Sequence, residues 1–124
     1  MIKGLFCGVS KYNFNSELEY CNNDAKVLAK AFIDNIQIDK KNIKLSTETG
    51  EITNFKYMRV LKEFCIDTNE DDLIVVYYSG HGGVDESGNS FLFATNSCNE
   101  STYIYIDQVI EEITNAAAKS ALVI

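Results

Sequence analysis

The sequence predicts an α/β domain with a mostly parallel central sheet and helices on both of its faces. Three observations predict it. Short apolar, β-branched runs alternate with segments of helical periodicity. One run, Leu73 to Tyr78 (LIVVYY), is apolar throughout, as a strand buried on both faces must be. That run is broken by Ser79 to Gly83 (SGHGG), and in such sheets reactive groups gather beyond the carboxyl ends of the strands.

The elements follow in order. Ile2 to Val9 reads as a buried strand and Ser10 to Asn23 as a polar, Asn-rich loop. Asp24 to Ile36 places Val27, Leu28, Ala31 and Phe32 at helical spacing, with Asn22 or Asn23 as N-cap and Asp24 at the positive end of the helix. Ile43 to Ser46 is a short strand, and Thr47 to Glu51 a turn containing Gly50. Thr53 caps a second helix with Phe55, Met58, Leu61, Phe64 and Cys65 on one face. Asn69 to Asp72 is an acidic, solvated turn before the central strand. Phe91 to Thr95 is a short strand after a glycine-containing turn. Asp107 caps a third helix with Val109, Ile110, Ile113 and Ala117 inward, and Ala121 to Ile124 begins another strand. Right-handed crossovers then put helices on both faces.

Composition narrows the function classes. The chain has 124 residues, one domain or part of one, and its 46% hydrophobic content rules against disorder. A formal net charge of -7 argues against a nucleic-acid surface and against anionic membranes. No leader-like segment and no apolar run near the ~20 residues of a membrane span is present, so a cytoplasmic location is expected. Cys7, Cys21, Cys65 and Cys98 form no CxxC pair, which suggests neither zinc nor a redox couple; Cys7 and Cys65 fit the core.

His81 is the only histidine. A lone histidine is more often structural, but here it stands between Gly80 and Gly82 directly after a buried strand, where glycines allow a ligand close to the backbone. Imidazole can take a proton from a thiol and return it to a leaving amine near neutral pH, and the Gly82 N–H could face a developing oxyanion. A nucleotide site is the weaker reading, since there is no GKS or GKT and no GxGxxG opening a helix. A metal site lacks suitably spaced partners for one histidine.

The segment Asp71 to Gly83 (DDLIVVYYSGHGG) closely resembles the histidine motif of the caspase and metacaspase superfamily of cysteine peptidases. Leu5 to Tyr12 (LFCGVSKY) resembles that family's first strand and following loop. Leu18 to Phe32 (LEYCNNDAKVLAKAF) resembles the metacaspase stretch in which Cys-x-x-Asp-Ala opens the first helix. YIYIDQVIEEI and SALVI resemble the helix and strand that precede the catalytic cysteine.

The resemblance implies a caspase-like three-layer sandwich and peptide hydrolysis by a Cys–His dyad, with His81 at the catalytic histidine. The family's nucleophile follows the strand matching Ala121 to Ile124, and no cysteine here holds that position. The expectation is therefore the N-terminal, large-subunit-like part of a peptidase domain over 1–124, cut after its fourth main strand and inactive alone. Asp24 matches the acid lining the pocket for the residue before the scissile bond, which implies a preference for Arg or Lys; its plainer reading is a helix-start carboxylate. Cys21 matches a cleft cysteine that is not the nucleophile and otherwise reads as a packed thiol. Ser79 could line the cleft or simply shape the turn. Calcium, an activator of many metacaspases, would find only Asp85, Glu86 and Asn96 as scattered donors, so no cofactor is expected. The expected partner is a protein or peptide substrate, with self-association through a bare sheet edge possible. A non-catalytic homologue acting as a binding module stays open as the second reading, and an unrelated ligand-binding α/β domain as a third.

Overall fold

The computed structural model describes residues 1–46 and 51–124; the turn expected around Gly50 lies outside the described residues. Four strands form a parallel sheet in the order β2-β1-β3-β7: β1 (Ile2–Gly8), β2 (Ile43–Ser46), β3 (Leu73–Ser79) and β7 (Ser120–Val123). The expected α/β class and helices on both faces are what the structure has. Helix α1 (Cys21–Ile36) covers one face; α2 (Asn54–Ile66) and α3 (Ile106–Thr114) share the other.

Side chains alternate across the two central strands, as strand geometry requires. Leu5 and Cys7 of β1 and Ile74 and Val76 of β3 point toward α2 and α3, where they pack with Leu61, Cys65, Val109 and Ile113. Phe6 and Val75 point the other way, onto Ala25 and Ala29 of α1. Both faces of LIVVYY are thus covered, which is why its sequence lacks polar alternation. Among the described residues, no helix is long and apolar enough to cross a membrane.

Several helix details differ from expectation, each for a physical reason. Helix α1 begins at Cys21, not Asp24, and neither Asn22 nor Asn23 caps it. Its N-cap is Tyr20, without a side-chain cap; instead Ser10, from the loop after β1, accepts the Asn22 N–H at 3.1 Å. A tertiary hydroxyl thus satisfies one of the first-turn donors that a local cap would have taken. Packing on Phe6 and Val75 puts the buried stripe at Ala25 and Ala29, with Leu28 and Phe32 beside it, and leaves Val27 exposed. In α2, capped by Thr53 as expected, Tyr57 is buried and Phe55 is 79% exposed. Helix α3 has Tyr105 as N-cap; Asp107 lies in its first turn, Ile110 is exposed, and Ala117 falls beyond its end.

A second, antiparallel sheet was not foreseen as a unit. It has the order β4-β5-β6, with β4 (Gly82–Val84), β5 (Ser90–Phe93) and β6 (Tyr103–Tyr105). Strands of three or four residues, one opening on two glycines, leave no periodic signature. What marks the sheet is an aromatic ladder: Phe91 stacks on Tyr103 with centroids 3.9 Å apart, and Phe93 meets Tyr103 edge-on at 5.3 Å.

The acidic turn is not wholly solvated. Asp72 is 3% exposed, accepts the Asn69 N–H at 2.9 Å, and faces the amine of Lys3 and the Met1 terminal amine at 3.8 and 3.5 Å. The Asn69 N–H bond leads in holding its carboxyl below the usual range, with Lys3 adding to it. A lowered folded pKa contributes stability that is complete above the unfolded value of about 3.9 and is lost as pH falls through the folded one. Wild type should therefore exceed Asp72→Asn in urea stability at pH 7, with the gap closing below about pH 4. A gap that stays constant down to pH 2 would refute the ionic role.

Candidate active site

The site forms where β1 and β3 end together. Their ladder runs in register from Ile2 opposite Leu73 to Gly8 opposite Ser79, and one further bond, from the Val9 N–H to the Ser79 carbonyl at 2.9 Å, carries the pairing past the last strand residue. The chain then leaves β1 into the loop 10–20 and leaves β3 into Gly80 and His81. One bond closes the loop on itself and another fastens it to the body. The Ser10 carbonyl accepts the Leu18 N–H at 2.7 Å, and the Asn13 N–H donates to the Thr95 carbonyl at 2.9 Å.

Between these fastenings the loop meets His81. The carbonyl of Ser16 lies 2.8 Å from His81 Nε2. A carbonyl can only accept, so Nε2 carries the proton and a neutral ring keeps its lone pair on Nδ1. The Tyr12 hydroxyl accepts the His81 backbone N–H at 2.8 Å and donates to the Val9 carbonyl at 2.6 Å. On the other side the His81 carbonyl accepts the Phe93 N–H at 2.9 Å. The imidazole packs against the rings of Tyr12, 4.7 Å away, and Phe93, 6.3 Å away. Burial pushes the Tyr12 phenol up to about 12; the His81 N–H opposes this, while the Cys21 and Cys7 thiols add to it.

Of the expected site residues, Ser79, Gly82 and Cys21 lie near the carboxyl ends of β1 and β3, and Asp24 follows on α1. Ser79 is the last residue of β3 and pairs with Gly8. Cys21, half-buried, opens α1, and its carbonyl packs against Gly8 so closely that a Cβ there would lie 2.2 Å from it. Asp24 is exposed one turn further along α1. Gly82 is exposed beside His81 at the start of β4, opposite Leu92. Cys7 and Cys65 are core residues and Cys98 is exposed.

Asp85, the first of the scattered acidic donors, serves its own hairpin. It accepts the N–H groups of Ser87 and Asn89 at 3.0 and 2.9 Å and the Tyr105 hydroxyl at 3.3 Å, around a turn closed by Gly88 at φ 85°. The Asn89 N–H bond is the main reason its carboxyl is held below the usual range. Among the described residues, no group of three or more His, Cys, Asp or Glu could hold a metal ion.

Sequence reasoning missed Ser16 and Tyr12. Ser16 acts through its carbonyl, which every residue has, so no side-chain signal could mark it. Tyr12 shares its loop with Phe14, Leu18 and Tyr20, so its ring alone did not single it out.

The metacaspase, peptidase C14 domain family model matches residues 2–119. Metacaspase-4 of Arabidopsis thaliana is 27% identical over 84 residues, 64% of this chain, and metacaspase-1A of Aspergillus oryzae is 27% identical over 86 residues, 65% of it. The chain spans about a fifth of the length of either relative, 20% in each case. A crystal structure of a Geobacter sulfurreducens protein superposes with a TM-score of 0.70 at 15% identity, covering 98% of this chain and 47% of that one; it shares the fold.

Gly8 offers a direct test of how the site is assembled. The atoms a Cβ would meet are backbone atoms of Cys21 and Asn22, which cannot turn aside, so α1 itself must move. Gly8→Ala should cost about 1–3 kcal/mol in urea unfolding. A loss within about 0.5 kcal/mol would show that α1 is not held where the structure puts it.

Proposed function

The chain belongs to the metacaspase, peptidase C14 domain family, and from that premise we propose that it supplies the histidine half of a Cys–His endopeptidase centre. The observation that carries the proposal is the bond between His81 Nε2 and the Ser16 carbonyl, because it leaves Nδ1 as the base. In the proposed reaction Nδ1 takes the thiol proton and the thiolate adds to the scissile carbonyl carbon. The oxyanion is met by backbone N–H groups, that of Gly82 among them. Collapse breaks the C–N bond, and His81 passes its proton to the leaving amine. Water, deprotonated by the same nitrogen, then hydrolyses the thioester and returns the proton to sulfur. Through both steps the Ser16 carbonyl faces the positive charge of the imidazolium.

The resemblance assigns the nucleophile to a position after the strand matching β7. That strand lies beside β3, about 4.8 Å away. Its last pair is Val123 opposite Val76, five residues before His81, so a nucleophile a few residues beyond β7 would reach the height of the histidine turn. Residues 1–124 by themselves hold no cysteine in that position and are proposed to be inert. Asp24, with Cys21 and Ser79 nearer the strand ends, is proposed to line the pocket for the residue before the scissile bond. Its exposed carboxylate favours Arg or Lys there. A second proposal concerns β7, whose residues are all exposed and which pairs with β3 alone among the described residues. Leu122, Val123 and Ile124 are about half exposed, at 48, 46 and 53%. An open apolar edge of this kind pairs with a second copy of the chain.

Two measurements test these proposals. The full gene product should cleave fluorogenic peptides after Arg or Lys, and His81→Ala should lower kcat/KM by about 10²–10⁴. Cleavage after Asp would discard the role of Asp24. A well-folded full-length protein that cleaves nothing, with or without calcium, would favour a binding module. Sedimentation of residues 1–124 should show concentration-dependent association, and a clean monomer would refute the edge proposal.

A further inference from the structure

Resting on the dyad reading of His81, we infer that Tyr12 is the positioning residue of the site: its phenol fixes the histidine backbone and ring so that Nε2 meets Ser16 and Nδ1 stays free to act. Three independent features converge on that hydroxyl. It is both acceptor and donor, taking the His81 N–H at 2.8 Å and giving its own proton to the Val9 carbonyl at 2.6 Å. One oxygen thereby ties the segment leaving β3 to the segment leaving β1. The Tyr12 ring also packs on the imidazole, with centroids 4.7 Å apart and planes at 58°. Finally, Gly80 makes room for it, since a Cβ at Gly80 would lie 2.5 Å from Tyr12 Oη. The glycine before the histidine is therefore explained by the phenol rather than by a ligand.

The consequence for His81 follows from geometry. Its N–H is held by Tyr12 and its carbonyl by Phe93, so the backbone on both sides of the Cα is fixed. The ring packs against those of Tyr12 and Phe93. What remains of its freedom is set by the Ser16 carbonyl, four residues beyond Tyr12 on the same loop. Tyr12 thus anchors the histidine from the same loop that carries the carbonyl selecting its tautomer. A phenol kept protonated up to about 12 holds the same donor and acceptor roles across the working range of a peptidase.

The test uses the full gene product, with the His81 signals identified as those that His81→Gln removes. In wild type, nitrogen-15 NMR should show the proton of the neutral ring on Nε2, and the His81 amide should exchange slowly. Tyr12→Phe keeps the ring and loses both hydrogen bonds. It should speed His81 amide exchange about fivefold or more and shift the ring toward a mixture of tautomers. Gly80→Ala, which displaces the phenol by another route, should do the same. Kinetically, Tyr12→Phe should lower kcat with KM nearly unchanged, as expected for a fault in the base and not in substrate binding. A merely structural tyrosine would lower the unfolding midpoint while leaving tautomer and exchange as they were, and that result overturns the inference. So does a wild-type protein whose Nε2 carries no proton or whose His81 amide exchanges like an exposed one, a reading that needs no variant to fold. Absence of peptidase activity in wild type would instead count against the dyad reading, and the spectra would still decide the role of Tyr12.

Discussion

The parallel ladder between β1 and β3 is the constraint on which the rest depends. Seven register pairs bring two chain segments, some seventy residues apart in sequence, to the same edge at the same height. The groups that meet around His81 are then delivered by the turns that leave those strands. From β1 come Tyr12 and Ser16; from β3 come Gly80, His81 and Gly82. A slip of one residue would turn Phe6 and Val75 out of the α1 face and separate the histidine from its partners at once. The ladder is long and buried on both faces, so such a slip would expose apolar side chains that now lie in the core.

Around that ladder, missing side chains matter as much as present ones. Gly8 admits the first turn of α1, and Gly80 admits a phenol. The two glycines face different neighbours, yet each removes a Cβ where another segment must approach within contact distance of the backbone. The polar atoms drawn in are then paired. Ser10 serves the first turn of α1, Tyr12 serves two backbone groups, and Thr95 accepts the Ile52 N–H on its hydroxyl while its own N–H donates to the Ile52 carbonyl. Polar groups brought this deep would cost stability if left unsatisfied.

How much of this was legible depends on the length scale of each signal. The central strand and the alternation of strands and helices were plain, because uninterrupted β-branched runs and Thr53 before an amphipathic stretch are local features. The histidine was legible because glycines flank it. The start of α1 was not, since its first-turn donor is served by Ser10, a residue eleven positions before Cys21 that no local rule would name. Burial of Asp72 was hidden in a run of acidic neighbours, because its partners Lys3 and the Met1 amine come from the opposite end of the chain. Of the short antiparallel sheet only the strand at Phe91 was legible, because the three-residue strands on either side of it have too few positions to show a period. Ser16 escaped because a carbonyl has no residue type.

The two layers that flank the sheet are unequal. Among the described residues, the side shared by α2 and α3 gathers a buried cluster running from Leu5 and Ile52 through Leu61 to Ile113, whereas α1 rests on Phe6, Ala25, Ala29 and Val75 with partly buried neighbours. Regions with fewer buried apolar contacts open more readily without global unfolding. The histidine and its turn belong to the firmer side, tied through Phe93 and Tyr78 to the small sheet. Cys21 and Asp24 ride on the lighter one. The end of the sheet that carries His81 is therefore flanked by one layer that resists local opening and one that yields to it more readily.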